Sequence, residues 1–116
     1  MSDSSAAAGS KRGALRFRFK EEFKVSYKTA YKDGEALLVD VSTGGCAVRK
    51  PTEPVSVDEK ILLSFIIQNL DEPLEIQSTC VRIDGDGFAV RFLGVDREEE
   101  NRIVKLLAAE SRANKG

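Results

Sequence analysis

One stretch constrains the fold more than any other: Phe23, Val25, Tyr27, Thr29 and Tyr31 alternate with Lys24, Ser26 and Lys28. Apolar residues at period two fall on one face of a pleated strand, so this segment reads as a half-buried β-strand with Phe23, Tyr27 and Tyr31 in the core. Similar segments follow, separated by turn residues. Asp33-Gly34 is a favoured hairpin pair, because both positions tolerate positive φ. Glu35 to Val41 reads as a second strand, broken by Ser42-Thr43-Gly44-Gly45. Cys46 to Arg49 is a short third strand, ended by Pro51 and Pro54. Lys60 to Gln68 is a strongly apolar fourth strand, and residues 69–73 form a loop. Leu74 to Ile83 alternates again, with Leu74, Ile76, Ser78, Cys80 and Arg82 on one side and Val81 and Ile83 on the other. That composition suggests a buried face that switches midway. Asp84-Gly85-Asp86-Gly87 is a second hairpin turn. Phe88, Val90 and Phe92 then mark one face of a sixth strand, with Ala89 and Arg91 on the other.

The end of the chain changes period. Asp96 and Glu99 have capping-box spacing. Ile103, Leu106, Leu107 and Glu110 share one side of a helix, with Val104 beside them. Glu98 and Arg102 form an i, i+4 pair. The fold class is therefore all-β: six antiparallel strands, which lose their exposed edges by closing into a barrel, followed by a C-terminal α-helix. With 116 residues there is room for one compact domain.

The chain has no His and two Cys. That removes the commonest general base and the commonest metal ligand, and leaves neither a Cys-rich zinc site nor a CxxC pair. No paired carboxylates form a recognisable site. The expectation is a non-enzyme with no metal and no cofactor. Cys46 and Cys80 read as small core residues of a reducing cytoplasm, although spacing alone leaves a bridge between them open. No apolar run approaches the length of a membrane span, and Met1 to Ser10 lacks the features of a signal peptide. Cytoplasmic localisation without membrane insertion is expected.

Charge is unevenly placed. The formal total is −1, yet Lys11 to Lys28 holds seven basic residues against Glu21 and Glu22, an excess of +5 that leaves −6 for the rest. A basic arm precedes an acidic body. No DNA binding is expected from such a total. Within the arm, Arg12-Gly-Ala-Leu-Arg16 places two arginines four apart, in a segment without clear secondary structure. Asp40-Val-Ser42-Thr-Gly44-Gly45 lies at a strand end and in the turn after it, with Asp40 and Ser42 on the same side of the strand. Gly45 allows the backbone to turn or approach a ligand.

These two motifs, RxxxR followed by DxSxxG, resemble the signature of the PilZ domain family, which binds the bacterial second messenger cyclic di-GMP. The hairpin Cys80 to Phe92 and the terminal helix are similar to the family's closing elements, and the resemblance covers about residues 11–110. Met1 to Ser10 is small and polar with no aromatic residue, so a disordered tail is expected at 1–10; the resemblance implies a PilZ domain at 11–112. The domain divides into a flexible basic arm at 11–20, a barrel at 23–93 and a helix at 96–112. It also implies cyclic di-GMP contacts from Arg12, Arg16, Asp40, Ser42, Gly44 and Gly45, with Lys11, Arg18 and Arg91 as additional candidates.

The chemistry of the residues agrees with this. A guanidinium fork matches guanine O6/N7 or a pair of phosphate oxygens. A carboxylate such as Asp40 accepts from guanine N1 and N2, and Ser42 adds a hydroxyl. Four or five charge-assisted bonds of about 1.5–3 kcal/mol suffice for roughly micromolar affinity after the arm is ordered. The expected protein is a receptor whose arm folds on ligand binding and signals to an unidentified effector protein. The family's outputs are motility, exopolysaccharide synthesis, biofilm formation and virulence. Two alternatives have other bases: a PilZ-like adaptor without nucleotide binding, and a small barrel for single-stranded nucleic acid, suggested by Phe17 and Phe19 in the basic arm.

Overall fold

The computed structural model describes residues 15–68 and 70–115. Among the described residues, seven strands and one helix follow one another: β1 (Arg16–Arg18), β2 (Lys24–Lys28), β3 (Asp33–Ser42), β4 (Gly45–Arg49), β5 (Lys60–Phe65), β6 (Leu74–Asp84), β7 (Gly87–Phe92) and α1 (Arg97–Lys115). The sheet order is β1-β3-β2-β5-β6-β7-β4, and β4 also pairs with β3. That last pairing closes β2–β7 into a six-stranded antiparallel barrel. Inward residues alternate along each strand, as in Val25 and Tyr27, Ile61, Leu63 and Phe65, or Ile76, Ser78 and Cys80. Ile103, Val104 and Leu107 of α1 join the same core.

Among the described residues, β1 is the strand absent from the sequence reading. Leu15, Phe17 and Phe19 alternate with Arg16 and Arg18, a period too short to stand out in a basic segment. β3 is ten residues long. Its first half pairs with β2 and its last three residues with β1 on the same edge, while β4 takes the other edge. Phe17 and Phe19 meet edge-on at 4.9 Å, and Phe19 meets Phe23 at 5.0 Å. These ring contacts anchor the short strand to the core.

Several local expectations change. The β2–β3 turn is Thr29–Lys32, not Asp33-Gly34. The Thr29 hydroxyl accepts from the N–H groups of Tyr31 (3.2 Å) and Lys32 (3.1 Å), which sets the turn earlier. Tyr31 is at its tip and 88% exposed, not in the core. Gly34 is instead a packing glycine: a Cβ there would come within 2.5 Å of the Tyr27 ring. The Tyr27 hydroxyl donates to the Glu53 carbonyl and accepts from the Glu53 N–H, which holds the β4–β5 loop against the barrel. β5 ends at Phe65, and Ile66 is exposed. A register shift after Cys80 leaves Val81 and Ile83 exposed, so the buried face of β6 does not switch to them.

At the helix start, Asp96 Oδ1 accepts the Glu99 N–H at 2.8 Å, as the capping spacing implies. Arg102 pairs with Glu99 (2.9 Å), three residues away, rather than with Glu98. Glu110 is buried, and both its carboxylate oxygens accept the Gln68 N–H at 3.3 Å. It ties the β5–β6 loop to α1. Cys46 and Cys80 are free. Each is opposite Val90, one on either side of β7. Their Cα atoms are thus two strand spacings apart, about 10 Å, too far for a disulfide.

Candidate functional site

Up to Leu38, inward residues of β3 are even-numbered: Gly34, Ala36 and Leu38. If that phase continued, Asp40 and Ser42 would point into the core. A bulge intervenes. Leu38 pairs with Val48 and Asp40 with Ala47, so Val39 is the extra residue. Val41 then becomes fully buried, and Asp40 and Ser42 turn to the outer face. Bulges commonly re-aim side chains in this way.

The outer face is assembled by register. Directly opposed residues of an antiparallel pair share a face. Arg16 is opposite Ser42 and Arg18 is opposite Asp40. On the next strands, Ala47 is opposite Asp40 and Gly45 is opposite Arg91. The Ser42 hydroxyl donates to the Gly45 carbonyl at 3.3 Å, linking the two sets. The result is a row Arg16–Ser42–Gly45–Arg91 across β1, β3, β4 and β7. Beside it runs a second row, Arg18–Asp40–Ala47–Ala89. Arginines stand at both ends of the first row, three strand spacings or about 15 Å apart at Cα, with small residues between.

The Arg16 guanidinium lies 3.3 Å from Asp40 Oδ2, with the arginine side chain 72% exposed and the carboxylate 13%. A single contact at that exposure contributes about 1 kcal/mol or less, so a ligand can displace it cheaply. On the other face of the sheet, burial pushes the Cys46 thiol up to about 12, and the nearby Asp40 charge adds to the effect.

Of the residues expected at the site, Arg16, Arg18, Asp40, Ser42, Gly45 and Arg91 share one face. Gly44 is beside them in the β3–β4 turn, where a Cβ would meet nothing within 4 Å. Gly45 differs: a Cβ there would collide with the Val90 carbonyl, so strand packing alone requires glycine. Lys11 and Arg12 lie outside the described residues, as does the tail at 1–10. Ala47 and Ala89 were missed by sequence reasoning. Their small size on a face otherwise polar was the available signal. Among the described residues, no three His, Cys, Asp or Glu side chains form a group that could hold a metal. No described helix is long and apolar enough to cross a membrane. A larger hollow of about 430 Å³ lies elsewhere on the barrel, but Asp33, Glu35 and Glu75 outnumber Lys28 in its lining. That charge disfavours an anion.

The architecture is thus a closed barrel with a C-terminal helix and a floor of small residues between arginines. The PilZ domain family description matches residues 10–109, so this chain belongs to the PilZ family. Solved structures agree on the fold. The PilZ domain of CeSA from a cellulose-synthesizing bacterium aligns with a TM-score of 0.63 at 17% identity, covering 80% of this chain and 97% of that one. The PilZ domain of Escherichia coli YcgR, solved with c-di-GMP, gives 0.61 at 19%, covering 90% and 97%. The Bacillus subtilis inhibitor of motility MotI/DgrA gives 0.58 at 15%, covering 90% of this chain and 52% of that chain. A search of curated proteins finds no match.

Proposed function

We propose that this PilZ protein is a cyclic di-GMP receptor. The observation that carries the reading is the register that sets Arg16 against Ser42 and Asp40, beside Gly45 and Arg91, on one outer face. Arg12 and Arg16 fork guanine or phosphate oxygens. Asp40 exchanges its contact with Arg16 for the N1 and N2 donors of a guanine. Ser42 contributes its hydroxyl, and Gly44 and Gly45 leave room above the turn. Arg91 closes the far end of the row, while Lys11 and Arg18 add charge toward the phosphates. The presence of c-di-GMP in the related YcgR domain supports the choice of ligand.

Binding holds the arm, already paired through β1, on the barrel face and completes a surface for an effector protein, a population shift driven by differential contacts. The protein acts in the cytoplasm, is not an enzyme and uses no cofactor; its outputs are those of the family, motility, exopolysaccharide, biofilm or virulence control. Phe17 and Phe19 are engaged with each other and with Phe23, which weakens a nucleic-acid stacking role.

Calorimetry with cyclic di-GMP tests this. Arg12→Ala, Arg16→Ala and Asp40→Ala are each expected to weaken binding about tenfold or more, equivalent to about 1.4 kcal/mol or above. An unmodified protein silent at high ligand concentration refutes the receptor reading. Amide exchange over residues 11–20 is expected to slow on binding; an arm that stays unprotected refutes the switch.

A further inference from the structure

Between β1 and the C-terminal part of α1 lies a cleft of about 190 Å³, lined by Phe17, Arg18, Lys20, Glu21, Ser111 and Arg112. Three cations face one carboxylate. Among the described residues, none of the three has a carboxylate within 4 Å. The Arg112 guanidinium sits 5.6 Å above the Phe17 ring centre, which orders the cation while leaving its N–H edges able to donate. The hollow beside the start of α1 differs: Asp96, Glu98 and Glu99 outnumber Arg102 and Lys105, and Arg102 is already paired with Glu99. The cleft thus joins two cations of the basic segment, Arg18 and Lys20, to one from α1, Arg112.

We infer that this cleft docks an acidic segment of a partner protein. Its volume is below the roughly 300 Å³ at which small-molecule sites begin, so it fits carboxylate side chains projecting from a peptide better than a free nucleotide. Four of its six lining residues come from β1 and the segment just after it, and two from α1. It therefore exists only while β1 is paired with β3, the strand that also carries Asp40 and Ser42. Whatever stabilises β1 on the barrel strengthens partner docking, and the partner strengthens ligand binding by the same factor. This coupling rests on the cyclic di-GMP reading; the docking does not.

The test is a titration of the isotope-labelled full chain with a hexaglutamate peptide, followed by amide NMR, at low and at 0.5 M salt, with and without cyclic di-GMP. Shifts are expected at Lys20, Ser111 and Arg112, fading at high salt. Lys20→Gln is expected to weaken the peptide about threefold and Lys20→Gln with Arg112→Gln about tenfold or more. Lys20 makes no stacking contact, so its variant reports on charge alone. Cyclic di-GMP is expected to tighten the peptide at least threefold. A peptide that moves no cleft amide, or that binds both variants unchanged, overturns the docking site. Inorganic phosphate producing the same shifts with equal affinity overturns the protein partner in favour of a free oxyanion. If cyclic di-GMP binds but leaves peptide affinity unchanged, the coupling is refuted and the receptor reading stands. If cyclic di-GMP does not bind while the peptide does, the receptor reading fails and the docking site is supported.

Discussion

Adjacent glycines in the β3–β4 turn illustrate how residues with one sequence signature can have different physical reasons. Gly45 faces the Val90 carbonyl, and no side chain fits there. Gly45→Ala is expected to destabilise the fold by about 2 kcal/mol or more, read in chemical unfolding. Gly44→Ala meets open space, so its thermal midpoint should stay near that of the unmodified protein. Any loss in Gly44→Ala should appear in ligand affinity alone.

Cys46 gives a pH dependence. Its folded-state value is raised from 9.0 to about 12, chiefly by burial. The unfolded chain therefore releases this proton first, and stability falls as pH rises from about 9 to about 12, at up to about 1.4 kcal/mol per unit. Unfolding across that range should show a shallower loss in Cys46→Ala than in the unmodified chain. If the two slopes are equal, the buried thiol does not control alkaline stability.

At the scale of elements, β3 is the informative strand. The spacing Ala36, Leu38, Val41 changes from two to three, which is the trace of the bulge in the sequence. Without it, alternation carried past Leu38 would bury Asp40. Deleting Val39 places Asp40 directly after Leu38, so simple alternation should keep Val41 inward and Asp40 and Ser42 outward; the barrel's β-sheet circular dichroism and cyclic di-GMP binding should both survive the deletion. Most strands and the helix were legible because period two and the Asp96–Glu99 spacing are strong local signals. The turn at Thr29–Lys32 was not, because Asp33-Gly34 is the better turn dipeptide. Tertiary packing of Tyr27 on Gly34 prevailed over that local preference. β1 was illegible because three residues carry too little pattern, and their pairing depends on a partner more than twenty positions away. The site was legible as residue types in order. The facing of Arg91 and the small floor at Ala47 depend on strand neighbours that no local spacing encodes. The helix cap is simpler: Asp96→Ala should lower stability by about 1 kcal/mol, visible as a drop of about 4–8 °C in Tm.

For the whole molecule, closure through β3–β4 leaves β1, among the described residues, as the strand with a neighbour on one side only. Its removal leaves the six-stranded ring intact. Local opening of β1 is therefore expected at lower free energy than opening of β5 or β6. Amide exchange should rank Arg16–Arg18 fastest among the strands in the free protein, and a barrel that exchanges as one unit with β1 would contradict this.

The bulge at Val39 also separates two design problems within one strand. Upstream and downstream of it, the residues that fill the barrel and those that face outward follow opposite parities. Positions 40, 42, 47 and 91 can therefore be diversified as a library while Leu38, Val41, Cys46 and Val90 are held constant. The barrel offers a scaffold on which recognition of chosen nucleotides can be selected without repacking the interior.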